Sequence, residues 1–320
     1  MRIVFLGTPD FAVPSLEALV EAGHQVACVV TQPDRPSGRH RRLAPPAVKQ
    51  SAAAHAVPVR QTDDVNAPAF LDGLAALEPE LIAVVAFGQK LGRRLLRLPA
   101  RGCINVHASL LPRHRGAAPV AHAILAGDTE TGVTTLRMAR RMDAGDILAQ
   151  QATPIGAREN AGQLGERLAA LGAQLLVRTV ADMAAGRHKP IAQDHAMATL
   201  APTLHKRDGA IDWTRPADFL ARFVRAMTPW PGAFTYWTPL GKPPLRLAVL
   251  EAEPAEGQAA SAARVASTEG GRLAIETGRG LLHVARLLPA GKRAMSADEF
   301  LRGHRLQVGD HLGWEEKVGG

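Results

Sequence analysis

Residues 1–31 read MRIVFLGTPDFAVPSLEALVEAGHQVACVVT. A β-branched run (RIVFL) leads through an amphipathic stretch (FAVPSLEALVEAG) into a second β-branched run (QVACVV), which predicts strand, helix, strand. A crossover helix of this kind is what joins parallel strands of one sheet. The alternation continues to about residue 185, with LIAVVA at 81–86, CINV at 103–106, GVTTLRM at 132–138 and DILAQQ at 146–151. An α/β class with a mostly parallel sheet covered by helices follows. The last helix of the block, roughly 161–185, carries Leu164, Leu168, Leu171, Leu175 and Leu176 at helical spacing and stops at Gly186.

The chain has 320 residues and is 46% apolar, enough for two ordinary domains with a buried core. No apolar run approaches the ~20 residues of a membrane-spanning helix, and the N-terminus shows no basic region followed by a cleavage site. A soluble, cytoplasmic protein is expected, and a monomer, since no heptad argues otherwise. Cys28 and Cys103 each sit in an apolar run, where buried reduced thiols are expected; they leave no disulfide framework or thiolate zinc site. The formal charge is +8, and RPSGRHRR at 35–42 holds four arginines and a histidine with no acid. A polyanionic partner fits that run, although an arginine-rich composition alone gives a similar excess.

Residues 187–210 lose the periodicity and contain two prolines, which marks a linker. Beyond it, after a helix-like ADFLARFVRAM, strand candidates fall around 233–238, 245–250, 262–267, 272–276 and 281–288. That spacing suits a small β-barrel, of the oligonucleotide-binding type or another small β fold. The division expected is 1–186, a linker at 187–206, a second domain at 207–312 and a tail at 313–320.

In an α/β sheet, ligands bind beyond the carboxyl ends of the strands, so GTPDF at 7–11 should line a site. A dinucleotide fold needs G-x-G-x-x-G here, because the glycines let the backbone approach a pyrophosphate. This loop has a single glycine, which argues against a nicotinamide cofactor. No phosphate-cradling Walker loop occurs either.

The other informative stretch is INVHASLLPRHRGAAP at 104–119. If CINVHAS ends a strand, Asn105 and His107 share one side of the sheet by the period of two. An amide can donate to a forming oxyanion, and an imidazole can move a proton near neutrality. Together they fit acyl transfer, with Asp143 in RRMDAGDIL as the group that holds the imidazole. Plainer readings compete: Asn105 and His107 as local caps, and Asp143 with Asp146 as a turn. His107, His114 and His122 do not share a helical face, which argues against a metal site.

At this point several stretches together carry a resemblance: GTPDFAVPSLEAL at 7–19, TQPDRPSGR at 31–39, NVHASLLPRHRGAAP at 105–119, TGVTT with MDAGDIL within 131–148, and PWPGAF at 229–234. The chain resembles the methionyl-tRNA formyltransferases, collinearly over about residues 1–310. The resemblance implies a Rossmann-like formyltransferase domain, with a C-terminal barrel of the oligonucleotide-binding type that adds an electrostatic tRNA surface. It implies 10-formyltetrahydrofolate as co-substrate, with no metal and no NAD, and initiator methionyl-tRNA as partner. It puts the catalytic trio on Asn105, His107 and Asp143. It puts folate contacts on Ser109, Leu110, Leu111 and Pro112 and on Phe87 and Gly88, and tRNA contacts on Arg39, Arg41, Arg42 and Lys206. A basic loop without interleaved aromatics usually positions the nucleic-acid backbone and contributes salt-dependent affinity.

Two departures stand out: His114 occupies a position where the family has an aromatic, and QKLGRRLL follows AFG where a proline is common. The rival readings are a folate-dependent formyltransferase acting on glycinamide ribonucleotide or an amino sugar, formyltetrahydrofolate hydrolase, and a catalytically inactive tRNA-binding protein. The first group lacks a basic 35–42 loop followed by such a barrel. The last leaves Asn105, His107 and Asp143 without a reason to occur together.

Overall fold

In the first sheet, β1 (Arg2–Gly7), β2 (Gln25–Thr31), β3 (Val59–Gln61), β4 (Leu81–Val85) and β5 (Cys103–His107) are parallel, in the order β5-β4-β1-β2-β3. Two antiparallel strands, β6 (Glu130–Arg137) and β7 (Ile147–Pro154), extend the β5 edge. The computed structural model describes residues 1–37 and 42–313. The chain divides into two units, one of residues 1–119, 130–154 and 164–202, the other of 120–129, 155–163 and 203–320.

The central strands are continuous apolar runs because both faces are covered. Helices α1 (Val13–Glu21), α2 (Ala47–Ala54), α3 (Pro68–Ala75) and α4 (Ala161–Ala184) supply the cover. Ile3 and Phe5 pack with Leu16 and Leu19 of α1, Val48 of α2 and Leu176 of α4. Val4 and Leu6 face the opposite layer, with Leu71 and Leu74 of α3. Leu164, Leu168, Leu175 and Leu176 are fully buried along α4, so truncating any of them to alanine should cost ~2–5 kcal/mol.

The same alternation decides the site. Ile104 and Val106 belong to the α1 and α4 layer, and Cys103 to the α3 layer. With a period of two, Asn105 and His107 fall on the Cys103 side. Strand order reverses at β1, between β2 and β4, which puts a crevice at the carboxyl ends of β1 and β4.

Residues 187–202 have no long element, yet they are tied into the first unit. Ile191 bridges Ile147, and Leu200–Ala201 pairs in parallel with Arg115–Gly116. Pairings this short leave no apolar period, which is why the sequence reads there as a linker.

In the second unit, helix α5 (Ala217–Met227) precedes an antiparallel sheet. Its main path is formed by β8 (Ala233–Trp237), β9 (Leu245–Ala255), β10 (Val265–Ser267), β11 (Leu273–Glu276), β12 (Leu281–Pro289) and β13 (Leu312–Gly313), and a two-residue strand, Met295–Ser296, pairs with β12 off that path. They run in the order β10-β11-β12-β9-β8-β13, and a bridge from Arg264 to His311 joins the two ends of the curl. The register shifts around Glu251, where β9 meets β12; such bulges bend a strand and let a short sheet curl. All five expected strands are present, and β9 runs on to Ala255 because β12 pairs with it along its whole length. No helix among the described residues is long and apolar enough to cross a membrane.

Candidate active site

The loops after β1, β4 and β5 leave the same end of the sheet. Thr8 Oγ1, just past β1, donates to the Phe87 carbonyl at 3.1 Å, and Gln32 Nε2, just past β2, donates to it at 3.3 Å. Phe87 is buried, while Gly88 is exposed with a φ of +85°. The 86–88 loop is therefore held by its neighbours through a carbonyl, leaving Gly88 at the surface.

His107 ends β5 and is 5% exposed. Its Nε2 lies 2.9 Å from the His114 carbonyl oxygen. A carbonyl only accepts, so Nε2 carries the proton and Nδ1 is the basic nitrogen. Nδ1 faces Asp143 Oδ2 at 3.7 Å, and that oxygen also accepts the Gly116 N–H at 2.9 Å. Asn105, two residues back on the same side, is half-buried, and its side chain makes no hydrogen bond among the described residues. The result is a sheltered crevice with an uncommitted amide donor, an imidazole with one fixed tautomer and a carboxylate opposite it.

The two turns that bring Asp143 and Gly116 into place depend on close backbone approach. A Cβ at Gly145 would run into the Arg137 carbonyl, and one at Gly116, whose φ is +131°, would meet the Ala201 carbonyl. Asp143 itself has a φ of +50°, a left-handed conformation that surrounding contacts must hold for a residue other than glycine.

The 109–112 turn is braced from β6 and β7. Thr134 Oγ1 donates to the Ser109 carbonyl at 2.6 Å and accepts the Leu111 N–H at 3.2 Å. Gln150 Nε2 donates to the Leu111 carbonyl and to Thr134 Oγ1, each at 2.9 Å. Ser109 Oγ donates to the Arg113 carbonyl at 2.7 Å. Ser109 and Leu111 are buried, and Leu110 and Pro112 are half-buried at the surface of the turn.

Behind Asp143 lies a buried guanidinium. Arg115 is 3% exposed, and burial draws it below its ordinary range; nearby Arg141 adds to that, while Asp143 opposes it. Of the expected tRNA contacts, Arg39 and Arg41 lie outside the described residues, and Arg42 is described through its backbone alone, paired with Ser37. Lys206 is exposed at the start of a single 3-10 turn, Lys206–Gly209, in the second unit.

The profile of the formyl transferase family matches residues 1–180, and that of the formyl transferase C-terminal domain matches residues 203–305. The methionyl-tRNA formyltransferase of Moorella thermoacetica is 48% identical over 314 residues, covering 98% of this chain and 99% of that protein. That of Citrifermentans bemidjiense is 45% identical over 313 residues, covering 98% and 96%. This chain belongs to the methionyl-tRNA formyltransferase family.

Solved structures share the fold of the formyltransferases at lower identity. HypX from Aquifex aeolicus, in complex with tetrahydrofolic acid, matches 99% of this chain with a TM-score of 0.61 at 18% identity; the chain spans about half of HypX, 51%. An N-formyltransferase from Helicobacter canadensis, in complex with folinic acid and dTDP-3-aminofucose, matches 90% of this chain and 100% of its own, with a TM-score of 0.66 at 16% identity.

For a methionyl-tRNA formyltransferase, the departure at His114 has a simple consequence. The residue has a φ of +57°, and the contact with His107 uses its backbone carbonyl, which any side chain would present. Sequence reading missed Arg115, Thr134, Gln150 and Gln193. Arg115 sits in a charge-dense turn that reads as solvated surface, and the other three are common polar residues without a motif.

Proposed function

We propose that this chain transfers the formyl group of 10-formyltetrahydrofolate to the α-amino group of methionine on initiator methionyl-tRNA, in the cytoplasm, for translation initiation. The observation that carries the reading is the uncommitted Asn105 amide beside the His107 and Asp143 pair, in a chain related over its full length to methionyl-tRNA formyltransferases.

The methionine nitrogen forms a bond to the formyl carbon, and the bond from that carbon to N10 of the folate breaks. One proton passes from the amine to N10. Asn105 donates its amide N–H to the oxygen that becomes negative between those events, and His107, once its Nδ1 has taken the amine proton and faces Asp143, adds a positive charge beside it until that proton passes to N10. Nδ1 is the atom able to take and return the proton, because Nε2–H is committed to the His114 carbonyl. The fit to a folate rests on the chemistry of the crevice: main-chain groups around Phe87 and Gly88 for a pterin, and an apolar turn, Ser109 to Pro112, for the remainder.

In this reading residues 1–186 form the catalytic domain, residues 187–206 join it to the barrel of 207–312, and the tail of 313–320 has no assigned part. Arg39, Arg41 and Arg42 would meet the acceptor stem, with Lys206 adding a charge, and the chain acts as a monomer. Formylation assayed with methionyl initiator tRNA, methionyl elongator tRNA and glycinamide ribonucleotide side by side tests it. Label on the initiator supports the reading, and label on the small amine alone overturns it.

A further inference from the structure

Gln193 is 7% exposed, although it lies in a stretch with no long helix or strand. Its amide is fully used. Nε2 donates to the carbonyls of Asp143 at 2.8 Å and Gly145 at 2.7 Å, and Oε1 accepts from Arg115 Nε at 3.1 Å and Nη2 at 2.5 Å. Arg115 Nη2 also meets His195 Nδ1 at 2.9 Å.

Six residues further on, the same segment grips the other half of the crevice. Thr199 Oγ1 accepts the His114 N–H at 2.8 Å, and the Thr199 carbonyl accepts the Arg115 N–H at 2.8 Å. The two backbone groups that meet the reactive side chains belong to the stretch so held. They are the His114 carbonyl, on His107, and the Gly116 N–H, on Asp143.

We propose that Gln193 is a positioning residue for formyl transfer: its amide clamps the left-handed Asp143 turn so that the carboxylate faces Nδ1 of His107, and Arg115 holds the amide in place. The proposal rests on the formyl-transfer reading above. A glutamine that merely tied residues 187–202 to the first unit would need only its Oε1 on Arg115. The two donations to the Asp143 and Gly145 carbonyls instead act on the turn that carries the carboxylate. Misplacing a reacting group by about 1 Å can cost ~10²-fold in rate, so the loss should appear in kcat.

Two variants separate the roles. Gln193→Glu keeps an acceptor for Arg115 but sets carboxylate oxygens against two carbonyls, and Gln193→Met keeps the length and removes every polar bond. Each is compared with wild type for kcat and for KM toward both substrates. Amide hydrogen exchange of the peptide spanning 138–147 is followed on the free chain. We expect both variants to remain folded, with kcat lowered ~10²-fold, KM values changed by no more than about threefold, and faster exchange at 138–147. A folded Gln193→Glu chain with wild-type kcat and unchanged exchange would overturn the proposal, and so would a loss confined to KM. Failure of wild type to formylate methionyl-tRNA, read first in the same assay, would overturn the formyl-transfer reading itself.

Discussion

Nδ1 of His107 and Oδ2 of Asp143 stand 3.7 Å apart, beyond a direct hydrogen bond but within ion-pair reach. Since Nε2–H is held by the His114 carbonyl, a proton picked up by the imidazole sits between these two atoms. Asp143→Asn keeps an oxygen for the Gly116 N–H and removes the charge. We expect it to fold as wild type and to lower the single-turnover rate of formyl transfer by roughly 10²-fold or more. An unchanged rate would mean that Asp143 serves only the turn.

Asn105→Ala removes an amide that makes no hydrogen bond among the described residues. Thermal unfolding should therefore change by no more than ~0.5 kcal/mol, while the transfer rate falls ~10²–10³-fold. His107→Ala is expected to lose ~10²–10⁴-fold. A stability loss that matches the activity loss in Asn105→Ala would assign the amide to the fold.

Gly145→Ala would press a Cβ, within the turn that carries Asp143, against the Arg137 carbonyl. Overpacking of this kind costs ~1–3 kcal/mol, measurable as a lower urea midpoint, and activity should fall with it because the turn must shift.

Burial raises the Cys28 thiol above its ordinary value and pushes Cys103 up to about 12. A colorimetric thiol reagent at a pH of about 8 should therefore find neither cysteine in the folded chain and both after denaturation, with no loss of activity on brief exposure. Rapid labelling of the native chain with inactivation would contradict this.

Asp34, next to the basic loop, has its carboxyl held below its ordinary value of 3.8 first by Lys49 and then by Gln61. A depressed carboxyl contributes stability that is present above its unfolded value and is lost as pH falls through the lower folded value. The difference in Tm between wild type and Asp34→Asn should thus be constant near neutrality, shrink as pH falls below 3.8 and vanish only below the lower folded value. A difference that grows on acidification would reverse the sign.

The sheet was legible in the sequence because strands buried on both faces, such as RIVFL and LIAVV, are nearly pure apolar runs, and because α4 repeats its leucines at helical spacing. Asn105 and His107 were legible for a related reason: two polar side chains at the end of an apolar strand are costly without a task. Gln193 and Arg115 were not. Their burial depends on a one-residue bridge at Ile191 and a two-residue pairing at Leu200–Ala201, contacts too short to leave a periodic pattern. The curl of the second sheet was legible as a spacing of short strands that suits a small barrel, whereas the pairing that closes it, residues 263–265 against 309–312, is too short to leave a pattern of its own.

The most direct measurement is the transfer of labelled formyl from 10-formyltetrahydrofolate by the purified full chain to methionyl initiator tRNA, with wild type and Asn105→Ala in parallel. Rapid labelling of the initiator by wild type, with a ~10²–10³-fold slower rate for a fully folded Asn105→Ala, is the result we expect. No label on the tRNA, or equal rates for the two chains, would contradict the account.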